Sequence, residues 1–175
     1  MCCGAMGCER GCEAQCEAAM EQVRGELEPA LTKACDRGLG TGCFMLSQLD
    51  EQHIAFVGRV TPRTTLDTNQ LLERACARGV GPACGNRGYR AYEDPPLMHA
   101  YQVKACAAHW GAGCLEAGKK LDADGKRSAA LPLWEQACTN GMTMVCTELG
   151  DILSNGDGVP ADHAAAVRAY AKAQP

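Results

Sequence analysis

The residues with the most chemistry to offer in this chain are its cysteines, and eight of the 13 stand in pairs at one fixed spacing. The pairs are Cys35 with Cys43, Cys76 with Cys84, Cys106 with Cys114, and Cys138 with Cys146, each a C-x7-C loop. The residue before each first cysteine is alanine: Ala34, Ala75, Ala105 and Ala137. The third loop position is glycine at Gly38, Gly79 and Gly141, and histidine at His109. So dense a set of thiols is rare in a reducing compartment, so the spacing reads as four disulfides. In this reading, Lys/Arg-Ala-Cys ends a helix, the glycine supplies the left-handed residue that stops it, and the second cysteine opens the next helix. A turn that short brings the two helix ends within disulfide reach. Closing so small a loop stabilises by about 2–3 kcal/mol in the chain-entropy treatment.

Five cysteines remain: Cys2, Cys3, Cys8, Cys12 and Cys16. Cys8 and Cys16 repeat the loop rule, with Gly11 at the third position, and could form a fifth bridge. Cys8, Cys12 and Cys16 also fall at i, i+4 and i+8, which on a helix would gather three thiolates for copper(I) or zinc. A third reading leaves the segment as a processed terminus. An odd total leaves one thiol over. If Cys2 carries a lipid, twelve cysteines suffice for six bridges, with Cys3 and Cys12 as the last pair. Residues 1–8 have neither a basic stretch nor an apolar run. They are not an intact secretion signal, and the expectation is an export signal that lies ahead of this sequence and is removed.

Other chemistry is sparse. None of Ser47, Ser128 and Ser154 has lysine three residues on, so no Ser-x-x-Lys nucleophile is present. His53, His99, His109 and His163 are scattered, without the clustering of a zinc hydrolase. The Gly38–Gly42 stretch lacks the lysine and preceding strand of a phosphate cradle. Asp157 and Asp162 lack the alternating ligands and closing glutamate of a calcium loop. The net charge of −4 and the lack of a basic stripe exclude nucleic acid as the main partner. No catalytic constellation and no cofactor are expected.

The elements that must position the cysteines are short helices. Aligned on their anchors, Cys35, Cys76, Cys106, Cys138 and Gln174 lie 41, 30, 32 and 36 residues apart, the length of two helices per repeat. Length differences fall in the loops, the longest expected from His53 to Thr64 and the shortest at Glu93–Pro96. Only 5% of the chain is aromatic, so its cores must be built from small, closely packed side chains. Trp110, Trp134 and Tyr101 are expected to be packing residues. The last unit reads Leu149-Gly150-x-Ile152, then Gly156-x-Gly158-Val159-x-x-Asp162, then Ala166-x-x-Ala169-Tyr170-x-Lys172-Ala173.

That last pattern resembles a Sel1-like repeat, and the added C-x7-C loops resemble the cysteine-rich subgroup typified by the Helicobacter cysteine-rich proteins. The resemblance spans residues 25–174. It departs at Arg87 and Arg90, where the family has leucines, and the Gly-x-Gly-Val turn occurs once. It implies an all-α, right-handed α-solenoid of about four to five disulfide-linked helix-turn-helix pairs. It also implies β-lactam binding or hydrolysis, a label for which the chain shows no residues. The expected layout is a cysteine-rich segment at 1–24, which could be a degenerate first helix, then repeats at 25–175 with a cap at about 144–174.

Function is then expected on a surface. With positions three and six after each second cysteine committed to the core, positions one, two and five turn outward. They are Phe44, Met45 and Gln48; Gly85, Asn86 and Tyr89; Leu115, Glu116 and Lys119; Thr147, Glu148 and Asp151. Asn86, Tyr89, Glu116, Lys119, Glu148 and Asp151 are the expected binding face for a protein or peptide, with Tyr89 as anchor. An ordinary solvated face is the alternative. The expected setting is oxidising and extracytoplasmic: periplasmic, outer-membrane lipoprotein or secreted. A membrane is reached only through a lipid on Cys2.

Overall fold

The computed structural model describes residues 13–57 and 67–174, together with a two-residue antiparallel pairing of Cys3–Gly4 with Gly7–Cys8. That pairing sets Cys3 opposite Cys8. The side chains of the five N-terminal cysteines lie outside the described residues, as do the proposed metal cluster, the extra bridges and the lipid site. The described chain is otherwise helical: α1 (Glu13–Asp36), α2 (Gly40–Val57), α3 (Thr68–Ala77), α4 (Gly81–Tyr89), α5 (Pro95–Ala107), α6 (Gly111–Ala123), α7 (Arg127–Thr139), α8 (Thr143–Asn155) and α9 (His163–Ala173). No described helix is long and apolar enough to cross a membrane. Two compact units are distinguished, Met1–Arg78 with α1–α3 and Gly79–Pro175 with α4–α9. Within each, consecutive helices pack on one another, the arrangement of an all-α repeat solenoid.

The expected border between residues 24 and 25 falls inside α1, which runs unbroken through Pro29. Nor does a loop begin at His53: α2 continues to Val57.

The joints form as the spacing requires. Cys35–Cys43, Cys106–Cys114 and Cys138–Cys146 are disulfides, and Cys76 and Cys84 are each disulfide-bonded. The left-handed residues are Gly38 (φ 91°), Gly79 (φ 79°), Gly141 (φ 93°) and, without glycine's freedom, His109 (φ 59°). The turn also closes by hydrogen bonds. Leu39 N–H donates to the Ala34 carbonyl at 3.0 Å, Trp110 to Ala105 at 3.0 Å, and Met142 to Ala137 at 3.0 Å. This is a helix-ending motif in which a left-handed residue lets the chain satisfy the last carbonyls. The invariant alanine has a steric reason as well. A Cβ on Gly42 would lie 2.7 Å from that of Ala34, and one on Gly113 would lie 2.5 Å from that of Ala105. Small residues let the bridged helices touch, with Cα–Cα distances of 4.4–4.8 Å at the disulfides. The new helices start three residues before the second cysteine, one turn earlier than expected.

Other ends are capped by aspartate. Asp67 forms a reciprocal cap with Gln70, Asp94 accepts from Leu97 N–H at 3.1 Å ahead of Pro95-Pro96, and Asp162 accepts from Ala165 N–H at 2.9 Å. The cap gives Asp162 a structural use in place of a calcium ligand.

The buried stripe of each post-bridge helix differs from expectation. Position three is buried at Leu46, Ala117 and Leu149, but position six is exposed at Arg90 and Lys120. Position four is buried instead, at Ser47, Gly88, Gly118 and Gly150. The glycines there are notches for side chains from the next helix. A Cβ on Gly118 would lie 2.6 Å from Trp134 Cδ1, one on Gly150 would lie 2.5 Å from Tyr170 Cε1, and one on Gly88 would lie 3.0 Å from Gln102 Nε2. Trp134 thereby anchors the core of the second unit with Ala130, Ala137, Val145, Leu149 and Ala169. Tyr101 and Trp110 are packing residues too: the first is 9% exposed, and the second lies over Gly85.

Candidate binding face

The candidate face lies within the second unit, on α4, α6 and α8, and begins with a correction. Position one does not turn outward throughout. Gly85 is buried under the Trp110 ring, and Leu115 is half-buried. Positions two and five do reach the surface. Tyr89, Lys119, Glu148 and Asp151 are exposed, and Asn86 and Glu116 are half-buried.

Four of the six side chains form one electrostatic row. Lys119 Nζ donates to Glu116 Oε1 at 2.9 Å, and this bond, reinforced by the charges of Glu116, Tyr89 and Glu148, raises the lysine above its ordinary range. Partial burial raises the Tyr89 hydroxyl, and Glu116 adds to the rise while Lys119 opposes it. Lys119 is therefore the centre of the row, with Glu116 on its own helix, Tyr89 on α4 and Glu148 on α8 as its neighbours. Asn86 and Asp151 flank them, three residues from Tyr89 and Glu148 on the same helix faces.

Two features of the face escape the sequence reading. The first is Tyr170 on α9, whose hydroxyl donates to Asp151 Oδ1 at 2.6 Å; that bond raises the tyrosine above its usual range. The Tyr-x-Lys-Ala ending marks the residue, but only its position against α8 reveals the bond. The second is a small apolar cavity of about 50 Å³ between Lys119 and Glu148, walled by Leu115, Trp134, Val145, Leu149 and Ile152. It opens because position six, Ile152, and position one, Leu115, are only half-buried and line a gap. A row of paired charges and a phenol over a small apolar recess can hold an extended polar chain and one small apolar group.

Among the described residues, no cluster of three or more His, Cys, Asp or Glu side chains could hold a metal ion. The histidines stay apart, on α5, in the α5–α6 turn and on α9, with His53 outside the residues whose side chains are described.

Comparison with known proteins speaks to the fold. No protein-family model and no curated protein sequence matches the chain. Among solved structures, a Sel1 repeat protein from Oxalobacter formigenes superposes with a TM-score of 0.59 at 17% identity, over 83% of this chain and 60% of that one. The protective antigen c5321 of uropathogenic Escherichia coli, which displays an SLR fold, superposes with a TM-score of 0.61 at 15% identity, over 83% of this chain and 32% of that one. The chain thus spans about 60% and 32% of the lengths of these two neighbours. They show that it has the fold of Sel1-like repeats. They do not bear on the Helicobacter subgroup.

Proposed function

We propose that this Sel1-fold repeat array is a non-enzymatic adapter that binds a protein segment along Asn86, Tyr89, Glu116, Lys119, Glu148 and Asp151. The carrying observation is the row of Tyr89, Glu116, Lys119 and Glu148 beside an apolar recess. Repeat stability asks nothing of the side chains at these surface positions, yet they supply a phenol, a cation and carboxylates in register on α4, α6 and α8. With Asp151 included, the face carries three carboxylates and one ammonium, so it favours a segment with basic character. Tyr89 anchors, because a phenol gives much contact area for little lost entropy.

The setting we propose is an oxidising, extracytoplasmic compartment. Disulfides at every described joint support it, since thiols in a reducing cytosol are kept free.

The test is selection of peptides from a displayed random library on the immobilised, oxidised protein, followed by ¹H–¹⁵N spectra with the selected peptides. The expected result is basic peptides whose saturable shifts centre on Tyr89, Glu116, Lys119 and Glu148, and which are lost together in Tyr89→Ala and Glu148→Lys. Shifts that centre elsewhere, or that survive both substitutions, would reject the assignment.

A further inference from the structure

A second cavity lies apart from that face, in the cap of the array. It has a volume of about 260 Å³ and opens between α7, α8 and α9; none of Tyr89, Glu116, Lys119, Glu148 and Asp151 lines it. Its origin can be read from the repeat alignment. Five residues before the anchors Cys76, Cys106 and Cys138 stand Leu71, Tyr101 and Leu133, but before the first and last anchors, Cys35 and Gln174, stand Ala30 and Ala169. The final helix thus carries a methyl group where the three repeats before it carry a large side chain. Ala165, one turn before it, is equally small. The missing bulk leaves an apolar chamber against Leu149 and Leu153, rimmed by Ser128, Glu135, Arg168 and Lys172.

The rim is unequal in charge. Lys172 Nζ lies 3.7 Å from Glu135 Oε1 and donates to Thr139 Oγ1 at 3.2 Å, so that cation and that carboxylate answer one another. Arg168, an exposed residue of the lining, makes no ion pair or side-chain hydrogen bond with any described residue and leaves the rim with one positive charge in excess. An apolar chamber under a planar fork of donors fits an anionic head with a hydrocarbon body. At about 30 Å³ for each water-sized group, the chamber holds roughly nine heavy atoms. That is too little for a folded segment and suits a single chain of carbons.

We propose that the cap of this array is a small-molecule site for a medium-chain aliphatic carboxylate, with Arg168 and the Ser128 hydroxyl on the head group and the space vacated at Ala169 taking the tail. The site is independent of the peptide face, and either can fail without the other.

Octanoate is the probe, titrated into the oxidised protein by calorimetry and followed in ¹H–¹⁵N spectra. A single saturable site is expected, with shifts confined to α7–α9. Octan-1-ol should bind about tenfold more weakly, because it lacks the charge that Arg168 answers. Arg168→Gln should bring octanoate down to the level of octanol while leaving octanol unchanged. Ala169→Leu restores the bulk found in the three preceding repeats, and should abolish both without lowering the melting temperature. If Ala169→Leu does not fold, Arg168→Gln still decides the matter. Non-saturable binding, shifts outside α7–α9, octanol as tight as octanoate, or binding that survives Ala169→Leu would each overturn the site. So would a peptide ending in a free leucine carboxylate that displaces octanoate from these resonances, since the occupant would then be a chain end.

Discussion

Two neighbouring joints of the second unit solve the same packing problem with different chemistry. At the first, Gly118 on α6 receives the indole of Trp134, which is 7% exposed and joins the core cluster. At the second, Gly88 on α4 receives Gln102, which is 3% exposed and has neither amide atom hydrogen-bonded to any described residue. Gln102 stands four residues before its anchor cysteine, the place held by Leu72, Trp134 and Tyr170 in other repeats. A glycine notch therefore fixes where the next helix sits, but not what fills it. The indole gains apolar burial, although its own N–H finds no partner among the described residues. The amide loses its hydration for no compensating bond, a cost of about 1–3 kcal/mol. The bridge Cys106–Cys114 joins the helix of Gln102 to the helix of Gly118, so the weak joint and the strong one are covalently coupled.

The hardest way to break this comparison is to empty the strong joint. Trp134→Ala should destabilise the oxidised protein by about 3–5 kcal/mol in urea unfolding, because the notch opposite cannot collapse further. Replacing both Cys106 and Cys114 by alanine should cost about 2–4 kcal/mol and uncouple the two joints. Unfolding should then begin on the Gln102 side, which hydrogen exchange on α4 and α5 will show. Gln102→Leu removes the unbonded amide and should stabilise by about 1–2 kcal/mol, bringing the weak joint toward the strong one. A neutral or destabilised variant would mean that the glutamine is hydrated in place. In the turn that links the joints, His109→Gly should stabilise by about 0.5–1 kcal/mol, since a left-handed backbone strains histidine more than the added chain entropy costs. The smallest effect concerns the turn that delivers Trp134 to its notch. There Arg127 donates to both carboxylate oxygens of Asp122, at 2.6 and 2.9 Å, and this bond holds the aspartate below its ordinary range. A depressed carboxylate contributes stability above its unfolded value of about 3.9, and that contribution is lost as the pH falls through the folded value. In Arg127→Gln, the Asp122 carboxyl resonance should titrate back in the ordinary range.

The joints were legible in the sequence because each part of them is a residue type with one dominant use. Cysteines eight apart, an alanine before the first and a glycine three after it can be read without knowing what they touch. His109 could also be read as the exception, and it keeps the left-handed backbone that the position demands. The buried stripe was harder. Leu149 declares itself as core through its own side chain, whereas Gly118 acquires meaning only from an indole 16 residues further along. Three of four repeats carry glycine at that fourth position, a regularity visible in the alignment but silent on any hydrophobic scale. Position six misled for the opposite reason. Ile152 suggests a core position, and Lys120 and Arg90 in the same register show that the helix face has already turned to solvent there. The row on α4, α6 and α8 followed from helical phase alone, but its cavity and Tyr170 depend on how α7 and α9 lie against it.

Each of the bridges Cys35–Cys43, Cys106–Cys114 and Cys138–Cys146 has one fully buried partner. Cys43, Cys114 and Cys146 have no exposed surface, and the Arg78 guanidinium lies 3.9 Å from the Cys43 sulfur. Once the helices have closed over them, a thiol catalyst or a dissolved reductant has no access to those buried sulfurs, and exchange there waits for the joint to open. Catalysed oxidation at those sulfurs is therefore favoured while a hairpin is still open, before its helices have packed over the bridge. In the finished molecule, the rate of reduction is set by how often a joint opens, not by how much reductant is present.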